Sequence, residues 1–529
     1  MAGHVFVGRG DLTKLCCDAW LMPTDRRLHV MPHWTEEIPN LKQNWKPEPD
    51  DSWNKGQTRV LEVEHWPFPE QRVWLVNTGA WQKEAQWYVN GVVQFFTIVG
   101  PIFQRQGRGV AGRAKPLVGI PLVGTGAGGA GDWIGTLLAA LLPTLYDAAK
   151  DYNVDIALVL KTGPSFAAAM NARRNYLKAR EAVWKDNLPG KLRAVAEDLA
   201  EHAKKGELVL FLGAGVSASA GLPNWKDLLE LLAKRVGVLS SGDEDGQKVF
   251  EAFHSLNVLD QARLIADYCG QKESTIGQEV ADLLQKYHHY SISHAILAGI
   301  QVKEVVTTNY DVLFERASKY AQDIAPAVIP YESPKSGGNW ILKLHGCVDH
   351  PSDIVLTRSD YLRYNDSRAA LKGIVHALLI TRHMLFVGFS LSDDNFYGII
   401  EDVRKAVREN KNRGTGDEPF GTVLALESNH FAQQLWHGDL NWVSLQMGEG
   451  ATIADDRRLQ EIFLDYLAFL TTSSTAHLLN EKYKGALSES ELVLRSALQK
   501  MINEVDAKAK DAPAWLEIQH LVERFGGTC

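Results

Sequence analysis

The 529-residue chain has room for about three domains at roughly 150 residues each, and its 56 basic against 64 acidic residues, a formal charge of -8, argue against a nucleic-acid or anionic-membrane binder. A composition of 45% hydrophobic and 23% charged residues is that of a globular protein and excludes long disorder or a coiled-coil rod. Five cysteines, Cys16, Cys17, Cys269, Cys347 and Cys529, are scattered, odd in number and without CxxC spacing, which excludes a disulfide framework or a four-cysteine zinc knuckle.

The opening residues MAGHVFVGRGDLTKL carry no basic leader ahead of an apolar core, so the cytoplasm is the expected address. In region 1–170, HVFVG, AWLMP, RVWLVN, PLVGIPLVG and DIALVLKTG read as strands, and WIGTLLAALLPTLYDAAKDY as a helix, an alternation that indicates an α/β domain with a largely parallel sheet. Between Leu117 and Tyr146 only Asp132 is charged, but glycines and Pro121 and Pro143 interrupt the stretch, which falls short of the ~20 residues of a membrane span. Residues 171–205 are densely charged and read as a solvated helical connector.

Region 206–448 opens with the buried-type strand ELVLFLG, a Gly-rich turn, and a helix with Trp225, Leu228, Leu229 and Leu232 on one face. EVVTTNY, WILKLHG, MLFVGFS and TVLALES follow as strands of a nucleotide-binding α/β sheet. Region 449–529 reads as helical: Ser488 and Glu491 form a capping box ahead of the stripe Leu494, Leu498, Met501 and Val505, and a last helix follows Pro513. This region is either a helical cap or a self-association surface.

Four strand ends in region 206–448 carry the candidate chemistry. Gly213-Ala214-Gly215-Val216-Ser217 lies between strand and helix, where glycines let a backbone approach a pyrophosphate. Thr308, Asn309 and Asp311 end EVVTTNY, His345 ends WILKLHG, and Gly388 and Ser390 end MLFVGFS, with Asp393 just beyond. Taken singly, these have plain readings: a tight turn, helix caps at Asn309 and Asp311, and a core histidine. An imidazole at such a crest is suited to proton transfer near neutral pH.

GAGVSASAGLPNW, TTNYD, LHG and GFS, in this order over about 205–445, resemble the NAD-binding motifs of sirtuins. Their spelling is similar to the sirtuin-like effector domains of bacterial anti-phage defence proteins, which cleave NAD to nicotinamide and ADP-ribose. Protein-deacylating sirtuins carry a four-cysteine zinc ribbon, whereas Cys347 is the only cysteine between Asn309 and Ser390, and Lys226 stands where their turn has Arg. The resemblance implies NAD as substrate and no metal. It implies His345 as general base and Asn309 as the residue that orients the nicotinamide ribose or water. Asp311 would stabilise the cationic transition state or hold its loop. Gly213, Ala214, Gly215, Ser217, Asn224, Thr308, Gly388 and Ser390 would contact NAD.

Gly10-Asp11-Leu12-Thr13, the following CDAWLMPTD, and Leu122–Gly131 resemble the opening and the phosphate loop of macro domains. Asp11, Gly124, Thr125, Gly126 and Gly128 would then hold an ADP-ribose-like nucleotide, while Met22 and Asp25 replace the two Asn residues of that family's VNAAN strand, which disfavours de-ADP-ribosylation. The expected fold is thus a macro-like α/β domain, a sirtuin-like Rossmann-type parallel sheet domain and a helical tail. The expected function is an NAD hydrolase of anti-phage defence, gated by a signal nucleotide or by homo-oligomerisation. The alternatives are an NAD-dependent deacylase and a non-catalytic nucleotide receptor.

Overall fold

A computed structural model of the chain describes all residues except 39, 43, 80–83, 127, 179, 181, 240–243, 409–418, 428, 473–474 and 529. Ala127 of the expected phosphate loop and Cys529 therefore lie outside the described residues.

The first sheet contains β1 (Val5–Arg9), β2 (Ala19–Thr24), β3 (Val60–Glu62), β4 (Arg72–Asn77), β5 (Leu117–Pro121) and β6 (Asp155–Leu160), in the order β1-β6-β5-β2-β4-β3. All pairings are parallel except that of β3 with β4. The five expected strands are present, and β3 is a three-residue antiparallel addition. The 22-residue helix Ala85–Gln106 was not legible in the sequence because Gly91, Gly100 and Pro101 interrupt its pattern. Gly100 is a packing requirement: a Cβ there would stand 2.3 Å from the Tyr152 ring of the neighbouring helix Ile134–Tyr152.

The second sheet is wholly parallel. It comprises β7 (Leu208–Leu212), β8 (Glu304–Thr307), β9 (Ala327–Ile329), β10 (Trp340–Lys343), β11 (His383–Val387), β12 (Gly421–Ala425) and β13 (Leu440–Ser444), ordered β13-β12-β11-β7-β8-β10-β9. The unbroken apolar runs of β7 and β11 are buried on both faces, as parallel strands between helical layers require. The chain runs outward from β7 in both directions, so β7 and its neighbours β8 and β11 flank the topological switch point, where such sheets open a crevice at their carboxyl ends.

Residues 171–205 are not a solvated connector. Helices Gly163–Leu177, Ala182–Asn187 and Gly190–Lys205 bury Leu177, Trp184, Leu192, Ala196 and Leu199 on their inward faces, and Arg173 is buried as well, against Asp465. The C-terminal region is helical as expected, but its first helix, Ile453–Thr471, is central: Ile462 to Ala468 are all buried. One apolar cluster runs from Phe6 and Trp20 of the first sheet through Ile296 and Leu464 to Leu210 and Leu212 of the second. In the tail, the Ser488–Glu491 capping box forms, and Leu498 and Met501 pack inward with Ile502, but Leu494 points to solvent because the stripe drifts around the helix.

Buried charges tie the central helix to the first sheet. Asp465 pairs with Arg173 at 2.6 Å and with His4 at 2.8 Å, and Asp155 pairs with Arg458 at 2.7 Å and Arg113 at 3.2 Å. Burial alone would raise the carboxyl pKa of Asp465, but Arg173 and His4 outweigh it and hold it below the usual value. Among the described residues no helix is long and apolar enough to cross a membrane.

Candidate functional site

Register builds the site. Val387, Leu212, Thr307 and Lys343 form one row across β11, β7, β8 and β10. The second residues beyond that row, Phe389, Ala214, Asn309 and His345, therefore leave the sheet at one crest. Thr307 Oγ1 donates to the Leu212 carbonyl at 3.0 Å, and the Asn309 amide donates back to Thr307 Oγ1 at 3.0 Å, which turns the chain over the end of β7.

Asn309 Nδ2 donates to the Gly213 carbonyl at 3.1 Å and to Ser217 Oγ at 3.3 Å. These acceptors fix the amide orientation and leave Oδ1 buried with no hydrogen-bond partner. An orphaned carbonyl at the switch point fits a ligand hydroxyl or a water. Asp311 has no such freedom: Oδ1 accepts from the Leu313 amide at 3.0 Å, Oδ2 accepts from Ser217 Oγ at 2.9 Å, and buried Lys343 holds its carbonyl at 2.6 Å. Of the two roles expected for Asp311, the geometry favours holding the loop.

His345 is only 1% exposed. Burial lowers its pKa, and Asp393, whose Oδ2 lies 3.7 Å from Nε2, opposes that shift only in part. The imidazole is neutral near pH 7 and able to accept a proton. Tyr361 and Tyr364 from the helix Arg358–Ser367 set their ring edges against it, and the Tyr361 hydroxyl donates to Asp393 Oδ2 at 2.9 Å. Trp225 packs on Tyr361 in turn. No motif in the sequence signalled Tyr361, Tyr364 or Lys343.

Gly213 and Gly215 have a packing role in the fold itself. A Cβ on Gly213 or Gly215 would meet the Gly388 and Phe389 backbone at 2.5–2.9 Å, and the Gly213 and Gly215 amides already donate to Val387 and Gly388 carbonyls. They let two strand-end turns close on each other. Asn224 is the cap of the helix Trp225–Val236, its Oδ1 accepting from the Asp227 amide at 3.1 Å. Ser217 is buried behind Asn309, Thr308 is half-buried with its amide on the Leu212 carbonyl, and Ala214 and Ser390 are exposed at the crest. Among the described residues no group of His, Cys, Asp or Glu could hold a metal ion.

In the N-terminal region, Asp11, Gly124, Thr125, Gly126 and Gly128 line one cavity of about 320 Å³ together with Asp25, His33, Trp34 and Lys161. The Asp11 carboxylate caps its own turn, accepting from the Thr13 amide at 2.9 Å. The positive φ of Gly124, +81°, and the Tyr88 ring beside it exclude any side chain there, whereas Gly126 faces open space. His33, Trp34 and Lys161 gave no sequence signal because they come from unrelated loops.

Residues 303–437, which carry β8 to β12 and the Asn309, His345 and Gly388 strand ends, match the SIR2-like domain family. Among curated proteins, the NAD(+) hydrolase ThsA of Enterococcus faecium is 29% identical over 233 residues, covering 41% of this chain and 44% of that protein. The NAD(+) hydrolase ThsA of Bacillus cereus is 28% identical over 224 residues, with the same shares covered. Defense-associated sirtuin 2 of Bacillus subtilis is 23% identical over 230 residues, 40% of this chain and 21% of that protein. The chain spans less than half the length of each of these relatives. Among solved structures, a macrodomain mutant of Oceanobacillus iheyensis aligns with 33% of this chain and 92% of its own at a TM-score of 0.25 and 11% identity.

Proposed function

We propose that the protein hydrolyses NAD to nicotinamide and ADP-ribose at the Asn309–His345 crest, as a cytoplasmic effector of antiviral defence. A nucleotide in the N-terminal cavity or self-association would control its output. The observation that carries this reading is the pairing, at one switch point, of a neutral buried imidazole with an unpartnered amide carbonyl. Asn309 Oδ1 accepts a hydrogen bond from the nicotinamide ribose or from the attacking water. Water oxygen bonds to the anomeric carbon as nicotinamide leaves as a neutral molecule, and the water proton passes to His345. Asp311 acts through Ser217 on Asn309. Tyr361, which covers His345 and occupies Asp393, moves aside to admit substrate.

The NAD(+) hydrolase names of two relatives support the choice of substrate. The test is release of nicotinamide from NAD by the purified full chain, with and without ADP-ribose. His345→Ala is expected to lower the rate by about 10²–10⁴, the usual contribution of a general base, and Asn309→Ala to abolish detectable release. NAD left intact by the wild type under every condition, yet bound tightly, would establish a receptor instead. Release that requires an acylated peptide would establish a deacylase.

A further inference from the structure

We propose that residues 290–294 form a mechanical link between the N-terminal cavity and the crest, with Tyr290 gripping the Asp11 turn and His294 acting as a positioning residue for Asn309. The link rests on the NAD-cleaving reading only for its consequence, not for its geometry.

At one end, the Tyr290 hydroxyl donates to the Asp11 carbonyl at 2.8 Å and accepts from the Asp11 amide at 2.9 Å. The Tyr290 amide donates to the Lys14 carbonyl at 2.9 Å, and its carbonyl accepts from the Cys16 amide at 2.8 Å, so the turn 11–16 is stitched to it as a strand would be. Gly10 is required by this contact, because a Cβ there would lie 2.7 Å from the Tyr290 hydroxyl. Gly10 and Asp11 also line the cavity.

At the other end, Ser291 caps the helix Ile292–Gly299, and its backbone N–H donates to His294 Nδ1 at 3.1 Å. A backbone N–H can only donate, so Nδ1 is the acceptor and the ring proton of the neutral imidazole sits on Nε2. Nε2 faces Ser217 Oγ at 3.2 Å, Ser217 Oγ donates to Asp311, and Asn309 Nδ2 donates to Ser217 Oγ. Every bond in the chain from Ser291 to Asp311 has one direction, and Tyr290, Ser291, His294 and Ser217 are each at most 1% exposed. Because these groups are shielded from bulk solvent, a shift of the Asp11 backbone is transmitted to the amide of Asn309.

The experiment is amide hydrogen exchange of the full chain, wild type against Tyr290→Phe, which keeps the ring and removes the hydroxyl. Exchange more than twofold faster at 213–218 and 307–311, as well as at 10–16, is expected; acceleration confined to 10–16 and 288–292 overturns the link. In parallel, His294→Leu is expected to lower kcat for nicotinamide release at least tenfold with KM within threefold, and His294→Gln, which retains an acceptor and a donor, to stay within threefold of wild type. Equal losses in the Leu and Gln variants overturn the positioning role. A wild type that releases no nicotinamide overturns the NAD reading, while the exchange result still decides the link.

Discussion

His345 Nε2 and Asp393 Oδ2 stand 3.7 Å apart, and the carboxylate is engaged by the Tyr361 hydroxyl at 2.9 Å. The negative charge raises the imidazole pKa against the lowering effect of burial. Asp393→Asn removes that charge and deepens the depression. The acid limb of the pH profile for nicotinamide release is expected to move to lower pH, and an unmoved limb would show that His345 is not the titrating base.

Gly388 has φ +64°, and a Cβ there would lie 2.5 Å from the Val216 amide nitrogen. Gly388→Ala therefore combines backbone strain with a clash that forces the β7 and β11 turns apart. A loss of about 2–4 kcal/mol in urea unfolding is expected, together with loss of nicotinamide release. Gly126→Ala, in open space within the cavity loop, is expected to leave stability within about 0.5 kcal/mol of wild type.

Asp465→Asn leaves Arg173 buried without its counter-charge, since both side chains are fully shielded from solvent. The expected cost is about 3–5 kcal/mol in chemical denaturation. Replacing the pair with apolar residues, Arg173→Met with Asp465→Leu, is expected to recover part of it, because the unpaired charge is gone while His4 and the Tyr146 hydroxyl lose their partners.

Three buried histidines, His294, His383 and His477, are held neutral by burial, with pKa values lowered from 6.5 to about 4. Between those values the unfolded chain binds more protons than the folded one, so stability is complete above pH 6.5 and falls as pH drops towards 4. For fully buried His294 the loss amounts to about 3 kcal/mol. His294→Gln is expected to flatten the dependence of Tm on pH across this window; an unchanged slope would place the protonation elsewhere.

Several features were legible because they are local. The strand runs of both sheets, the helix Ile134–Tyr152 and the Ser488–Glu491 box follow from hydrophobic period and capping chemistry over a few neighbouring residues. β9 and β13 were not: each is a short edge strand of three or five residues, defined by its partner rather than by its own pattern. Asn224, expected from the resemblance to contact NAD, stands at the N-cap of the helix Trp225–Val236.

The sequence by itself determined the two α/β sheets, the placement of Asn309 and His345 at strand ends, and the resemblance to NAD-cleaving sirtuins, because these depend on order along the chain. Only the tertiary structure decided which groups are free to act. Asp311 has both carboxylate oxygens occupied while Asn309 keeps its Oδ1 bare, and the Gly213–Gly388 contact gives those glycines a part in turn packing. The contact of Tyr290 with Asp11, 279 residues away, joins the two halves. Hydrogen-bond saturation and burial are properties of neighbours in space, and distance along the chain does not encode them.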